Sequence, residues 1–325
     1  MVAVGQAEQP EGPRACYPQW MPMRSSRGVV AVAAMLLALV PLRAQVGPAQ
    51  EGPNAAAGRH FAWRVTKSGT TVAWLVGSVH VLRNDAYPLP QVFQKAFKES
   101  DVLIEELDLG AATDVAAAMP ALSKALLTGD KTLSQLLDRD TYALVENKAA
   151  AAGLPMLVLD RLKPWMVAMT LSVPALRQAG FDPELGLDKH FFDRATAARR
   201  QVRGLETVAY QIDRLDGLSL DVQVAMLKAV LSDVDSQVAA VDQIVRAWKT
   251  GDVAALEQVL LQEFRESPEV YHRLLVERNQ AWAPKIAACA TEPRPCLVVV
   301  GGAHLVGPDS VVALLRQAGF TVDQQ

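Results

Sequence analysis

The feature that most constrains the fold is a phrase that occurs twice, in residues 72–80 and 297–304. In each copy an apolar run ends at a glycine, and a histidine follows three positions later. The glycines and histidines are Gly77 and His80 in the first copy, and Gly301 and His304 in the second. Each copy predicts a buried strand that stops at the glycine and presents a polar side chain just beyond its end. Ligands of open α/β sheets bind at that carboxyl edge, so we expect the two histidines to share a site.

Periodicity elsewhere predicts an α/β fold around a central mixed β-sheet. Residues 61–65 and 71–76 form a predicted hairpin, and 101–104 a further buried strand. A helix is predicted at 91–99, because its apolar residues fall on one face. The chain closes with a predicted strand, helix and strand at 297–301, 308–318 and 320–322. The sheet is therefore built from N-terminal and C-terminal strands that lie side by side.

The middle of the chain, residues 111–287, is predicted to be mostly helical. Strand-like islands interrupt it at 155–159 and 199–204. We expect this large helical region to cap the site at the sheet edge. A separate helical domain beside a sheet domain remains an alternative.

The N-terminus predicts export. Residues 1–44 contain a basic segment and a nearly continuous apolar run at 29–42, with cleavage predicted after Leu42-Arg43-Ala44. This is the pattern of a signal peptide whose true start is Met21 or Met23. The run is shorter than the ~20 residues that span a bilayer, although an uncleaved anchor remains an alternative. Residues 45–58 read as a flexible linker and 59–325 as one α/β domain. A periplasmic or secreted location follows, without a stable membrane span after cleavage.

The cysteines agree with export. Cys16 precedes the predicted cleavage point, which leaves Cys289 and Cys296 as an even pair in an oxidising compartment. We expect them to form a disulfide, with two unrelated buried thiols as the alternative. A formal net charge of −3 and the lack of a basic run argue against nucleic acid as a partner. The sequence does not predict an oligomeric state.

A carboxylate joins the two histidines in the predicted site. Glu106 ends the third predicted buried strand and should therefore emerge at the same edge. Two imidazoles and a carboxylate suit a divalent metal ion with an open position for water, which the ion can convert to a hydroxide nucleophile. Strand alternation points Glu105 and Glu106 to opposite faces, so at most one should join the site. Asp108 shares the parity of Glu106 and is a candidate to orient a ligand.

An ordered series of further motifs gives the chain a family resemblance. It comprises Tyr87-Pro88-Leu89-Pro90, Glu106-Leu107-Asp108, Lys163-Pro164-Trp165, Gly186-Leu187-Asp188, Gly204-Leu205-Glu206-Thr207 with Gln211, Ala247-Trp248, and Arg278-Asn279 with Trp282. With the two Gly-x-x-His phrases, these motifs resemble the TraB/GumN family, which is related to the Tiki metalloproteases of animals.

The resemblance implies a metal-dependent site formed by the two Gly-x-x-His motifs and a glutamate. By carry-over, His80, Glu106 and His304 are the expected metal ligands and catalytic residues, and the ion is Mn²⁺ or Co²⁺, with Zn²⁺ possible. Asp188, Glu206 and Arg278 also occupy family positions, with helix caps and buried ion pairs as their structural alternative.

The predicted function is a metal-dependent hydrolase that resembles a Tiki metalloprotease and cleaves peptide bonds of a peptide or protein substrate. Glu106 either completes the ligand set or acts as general base. One alternative is a protein that binds and sequesters a peptide in the same pocket without turnover. Another is an esterase that uses the same metal site.

Overall fold

The computed structural model describes residues 58–112, 119–120, 122–231 and 234–325. The predicted signal peptide and all but the last residue of the predicted linker lie outside these residues. No helix in the described part of the chain is long and apolar enough to cross a membrane.

The described strands form one mixed sheet, which confirms the predicted fold class. The strands are β1 (Ala62–Lys67), β2 (Thr70–Ser78), β3 (Val102–Glu105), β4 (Gln201–Gly204), β5 (Cys296–Gly301) and β6 (Thr321–Gln324). They lie in the order β4-β3-β5-β2-β1-β6. The first four in that order run parallel, whereas β1 is antiparallel to both β2 and β6. Strands from opposite ends of the chain are therefore neighbours, as the repeated phrase predicts.

The parallel core of the sheet fixes where the polar side chains emerge. Ser78 of β2 pairs with Gly301 of β5, and Glu105 of β3 pairs with both Val299 and Gly204. The carboxyl ends of these four strands thus reach the same edge. Strands β3 and β5 are buried throughout, as expected for strands that are covered on both faces.

Helices make up most of the rest of the described chain. They are α1 (Gln91–Glu99), α2 (Leu109–Ala112), α3 (Leu133–Leu136), α4 (Arg139–Ala151), α5 (Met156–Leu159), α6 (Pro164–Gln178), α7 (Leu187–Ala197), α8 (Val208–Asp216), α9 (Leu220–Leu231), α10 (Val234–Thr250), α11 (Val253–Glu266), α12 (Pro268–Tyr271), α13 (Glu277–Ala287) and α14 (Val311–Gln317). A π-helical turn, His272–Val276, joins α12 to α13. Helices α7 and α13 come from the predicted helical region and contribute side chains to the sheet edge.

The strand predicted at 155–159 is wrong, because this segment forms helix α5. A short apolar run fits a strand or a buried helix equally well. Here Leu159 is buried while Leu157 is 85% exposed, so the segment does not enter the sheet. The strand predicted at 199–204 is confirmed as β4.

A disulfide joins Cys289 to Cys296, as predicted. Cys289 lies in a 3₁₀ turn directly after α13, and Cys296 is the first residue of β5. Both cysteines are buried. The bond therefore ties helix α13 to the strand that leads to His304.

Candidate active site

Four parallel strands each place a polar side chain just past their carboxyl ends. His80 follows β2, Glu106 follows β3, Glu206 follows β4 and His304 follows β5. Nε2 of His80 lies 4.0 Å from Oε1 of Glu106, and Nε2 of His304 lies 3.9 Å from the same oxygen. The structure thus brings the three predicted ligands together around one carboxylate oxygen, in a buried position.

The two glycines of the repeated phrase allow this close approach in different ways. A Cβ atom on Gly77 would lie 2.9 Å from the ring of Phe61 and 3.4 Å from Cα of Gly302, so a side chain here would displace the buried Phe61 ring. The backbone N–H of Gly301 donates a 2.8 Å hydrogen bond to Oε1 of Glu106. The first glycine therefore makes room at the strand end, and the second holds the carboxylate.

His80 is oriented by Asp188, at the start of helix α7. Nδ1 of His80 lies 2.9 Å from Oδ1 of Asp188, which also accepts a 2.5 Å hydrogen bond from the Ser78 hydroxyl. Burial lowers the pKa of His80, but the carboxylates of Asp188 and Glu106 together outweigh that effect and raise it above its usual value. Burial raises the pKa of Asp188, whereas His80 and Ser78 bring it below its usual value. Nε2 of His80 is buried without a hydrogen-bond partner and faces Glu106.

Glu106 is held as a carboxylate. Burial raises its pKa, but the charge of Arg278, the two histidines and the Gly301 N–H together lower it to about 2. Oε2 accepts a 2.5 Å hydrogen bond from Arg278, while Oε1 accepts the bond from Gly301. Both oxygens are thus engaged, and Oε1 is the one that faces the imidazoles.

Arg278, on helix α13, uses all five of its N–H groups within the protein. Nε and Nη2 donate to the two oxygens of Glu206, and Nη2 also donates to Glu106. Nη1 donates to the Leu274 carbonyl at 3.1 Å and lies 3.2 Å from Nε2 of His304. A guanidinium has five donors, so this buried cation is saturated. Arg278 therefore positions the carboxylates of Glu106 and Glu206 and the imidazole of His304.

Glu206 has a different balance of effects from Glu106. Trp282 and Gln211 donate to it in addition to Arg278. Burial nevertheless dominates and raises its pKa above the usual value. Glu106 escapes this outcome because it also faces two histidines and accepts a backbone N–H.

His304 lies between helix α13 and the carboxylate. Nδ1 is 2.6 Å from Oδ1 of Asn279, and the ring lies 4.4 Å from the ring of Trp282 between centroids. Burial and the neighbouring charge of Arg278 lower the pKa of His304 to about 3. This imidazole is therefore neutral over the physiological pH range.

Two acidic candidates at the end of β3 have other surroundings. Asp108 accepts a hydrogen bond from the backbone N–H of Gly110. Both oxygens of Glu105 are buried without a partner, and burial together with the charges of Asp188, Asp108 and Glu106 raises its pKa well above the usual value. Glu106 is thus the one of the adjacent glutamates that contacts the histidines.

Comparison with known proteins identifies the family. The profile of the TraB/PrgY/gumN family matches residues 61–324. The chain belongs to this family. It is 26% identical over 262 residues to uncharacterized protein YbaP of Shigella flexneri and of Escherichia coli K12, covering 80% of this chain and 94% of each relative. It is 23% identical over 321 residues to metalloprotease TIKI2 of Xenopus tropicalis, covering 81% of this chain and 59% of that protein. No solved structure matches.

One relative is named as a metalloprotease, so the geometry of His80, Glu106 and His304 is compared here with that of a metal site. Within the described residues, no group of three or more His, Cys, Asp or Glu side chains is arranged to enclose an ion. The 3.9–4.0 Å spacings around Glu106 exceed the roughly 3–3.5 Å that metal–ligand bonds of about 2.0–2.2 Å imply. The three side chains would have to move closer together to bind one ion.

The chemistry of the donors fits a divalent ion. The buried, unpartnered Nε2 of His80 faces an ionised carboxylate, and Asp188 supports the other ring nitrogen as carboxylates support metal-bound histidines. The Arg278 Nη1 contact to His304 would have to break, because it uses the nitrogen that an ion would need. The donor set therefore fits an ion that competes with Arg278 for His304.

Proposed function

We propose that the chain is an exported, metal-dependent hydrolase that cleaves peptide bonds. The observation that carries the proposal is the convergence of two imidazole Nε2 atoms on one ionised carboxylate oxygen of Glu106. A relative named as a metalloprotease supports the reaction class. The buried disulfide supports export, since structural disulfides persist in oxidising compartments.

His80, Glu106 and His304 would hold the ion through Nε2, a carboxylate oxygen and Nε2. A divalent ion in such a site supplies an acidified water molecule and polarises the scissile carbonyl. Mn²⁺ and Co²⁺ are the proposed ions, with Zn²⁺ as a further option. Substrate is a peptide or protein segment.

The hydrogen bonds and charges of the surrounding residues indicate their roles in this reaction. Asp188 holds the His80 proton at Nδ1, which leaves Nε2 as the atom that faces the reaction space. Glu106 has a pKa of about 2 and two engaged oxygens, so it is a weak proton acceptor. These properties favour a ligand role for Glu106 over the role of general base. Arg278 offsets the charge of the two carboxylates and fixes their positions.

A second candidate uses the same residues without an ion. The raised pKa of His80 and its unpartnered Nε2 suit a general base that Asp188 orients. In this scheme Nε2 of His80 takes the proton from an attacking water molecule, and the substrate is a peptide or an ester. Hydrolysis by this metal-free route would persist in the presence of a chelator.

Both candidates are tested with one assay on the full chain. A peptide library and a set of small esters are incubated with Mn²⁺, Co²⁺, Zn²⁺ or a chelator. We expect peptide cleavage that requires added metal and is lost in His80→Ala and in His304→Ala. The control is His272→Ala, an exposed histidine that pairs with Glu277 outside the site, and it should retain activity.

The alternative outcomes separate the proposals. Cleavage in chelator that still depends on His80 would replace the metal-dependent scheme with the second candidate. Peptide binding without turnover under every condition would contradict both and favour a sequestering protein.

A further inference from the structure

The two histidines of the site differ in the partner of Nδ1. His80 faces the carboxylate of Asp188, whereas His304 faces the amide oxygen of Asn279 at 2.6 Å. Asn279 is only 2% exposed. A primary amide can donate or accept, so the direction of its bond to His304 depends on what holds the rest of the amide.

The main-chain carbonyl of Asp309 holds it. Nδ2 of Asn279 donates a 2.9 Å hydrogen bond to that carbonyl, which can only accept. The Asp309 carboxylate accepts a 2.7 Å bond from the Tyr271 hydroxyl, which secures the loop that follows His304. The amide oxygen of Asn279 must therefore face His304 and accept its Nδ1–H.

The contact at Nε2 of His304 independently indicates the same tautomer. Nε2 of His304 lies 3.2 Å from Nη1 of Arg278, and a guanidinium can only donate. Nε2 must therefore carry a lone pair. An imidazolium, or the tautomer protonated at Nε2, would place two N–H groups against each other. Both contacts select the neutral ring protonated at Nδ1.

We propose that Asn279 is the positioning residue of His304, which fixes the ring in the Nδ1–H tautomer and keeps the Nε2 lone pair directed into the site. An amide does this without adding a third negative charge beside Glu106 and Glu206. The functional consequence rests on the proposed metal-dependent hydrolysis, because a ligating imidazole must offer an unprotonated nitrogen. The pair Asp188–His80 and the pair Asn279–His304 are thus chemically distinct halves of one site.

The tautomer is measured by nitrogen NMR on the full chain labelled with ¹⁵N-histidine. The chain contains five histidines, and loss of a signal in His304→Gln assigns the ring. We expect wild-type His304 to be protonated at Nδ1 and unprotonated at Nε2. Asn279→Asp keeps an acceptor and should keep this tautomer, whereas Asn279→Leu should shift the population toward Nε2–H. Wild-type His304 protonated at Nε2, or an Asn279→Leu protein with an unchanged tautomer, would overturn the proposal.

A titration with Mn²⁺ alone gives a second readout. Loss of a partner that orients a metal ligand costs about 10–100-fold in affinity, and we expect that loss in Asn279→Leu. The matched control is Gln223→Leu, a buried amide outside the site that donates to the Leu218 carbonyl. Equal Mn²⁺ affinity in the wild type, Asn279→Leu and Gln223→Leu would overturn the positioning role of Asn279 and leave the proposed function standing. The expected tautomers without Mn²⁺ binding to the wild type would support the positioning role and refute metal dependence.

Discussion

Replacing Arg278 with methionine tests whether one buried cation holds the site together. The side chain is 3% exposed and bonds Glu106 and Glu206, which are themselves buried. Removing one partner of a buried ion pair typically costs about 3–5 kcal/mol, because the remaining charge is left uncompensated. Both carboxylates lose their cation in this variant, so we expect a loss of at least that size at pH 7.

The pKa of Glu106 determines how the penalty for Arg278→Met depends on pH, although burial, the two histidines and the Gly301 N–H also contribute to this pKa. A drop from 4.5 to about 2 corresponds to about 3 kcal/mol, at about 1.36 kcal/mol per pKa unit. Because the folded pKa is depressed, this stabilisation is present above pH 4.5 and is lost as the pH falls toward 2. Arg278 is the largest of the groups that lower this pKa. The penalty for Arg278→Met should therefore shrink over the same pH range.

Urea unfolding followed by circular dichroism at pH 7 and at pH 3 measures these free energies. The control is Arg294→Met, since Arg294 pairs with Asp101 where both side chains are about half exposed. Exposed pairs contribute about 0–1 kcal/mol. This role of Arg278 is refuted if Arg278→Met lowers the free energy of unfolding no more than Arg294→Met does at pH 7. It is also refuted if the loss is the same at pH 7 and at pH 3.

The remaining predictions concern a buried acid and the disulfide. Glu105→Leu should raise the free energy of unfolding by about 1–3 kcal/mol at pH 7, because both carboxyl oxygens are buried without partners. The folded pKa of Glu105 is raised, so the gain should grow as the pH rises above 4.5, and urea unfolding that shows no gain at pH 7 would contradict this. Replacing Cys289 and Cys296 with alanine should lower the free energy of unfolding by about 2–3 kcal/mol, from the entropy of the short loop they close. A reductant should reproduce that loss in the wild type, and equal stability of the oxidised wild type and the double variant would argue against it.

The strand ends of the site could be predicted from the sequence because their geometry follows from two simple rules. Parallel strands end at one edge, and side chains alternate between faces. These rules brought His80, His304 and Glu106 together, and the structure places them around one oxygen. The alternation also separated Glu105 from Glu106.

The partners supplied by helices could not be derived in this way. Only the family resemblance points to Asp188 and Arg278. Helix packing decides which side chain meets which strand end, and no local sequence pattern specifies that packing. Asn279 belongs to one of the family motifs, but its hydrogen bond to His304 depends on the loop at Asp309. The hydrogen bond from the Ser78 hydroxyl to Asp188 likewise depends on where helix α7 packs.

Diffraction from crystals soaked in Mn²⁺ tests whether His80, Glu106 and His304 bind a metal ion, because the anomalous signal of manganese locates the ion. We expect a single strong peak for an ion bonded to Nε2 of His80, a carboxylate oxygen of Glu106 and Nε2 of His304, with the Arg278 contact to His304 broken. The absence of a peak at this position, with Arg278 still bonded to His304, would contradict it.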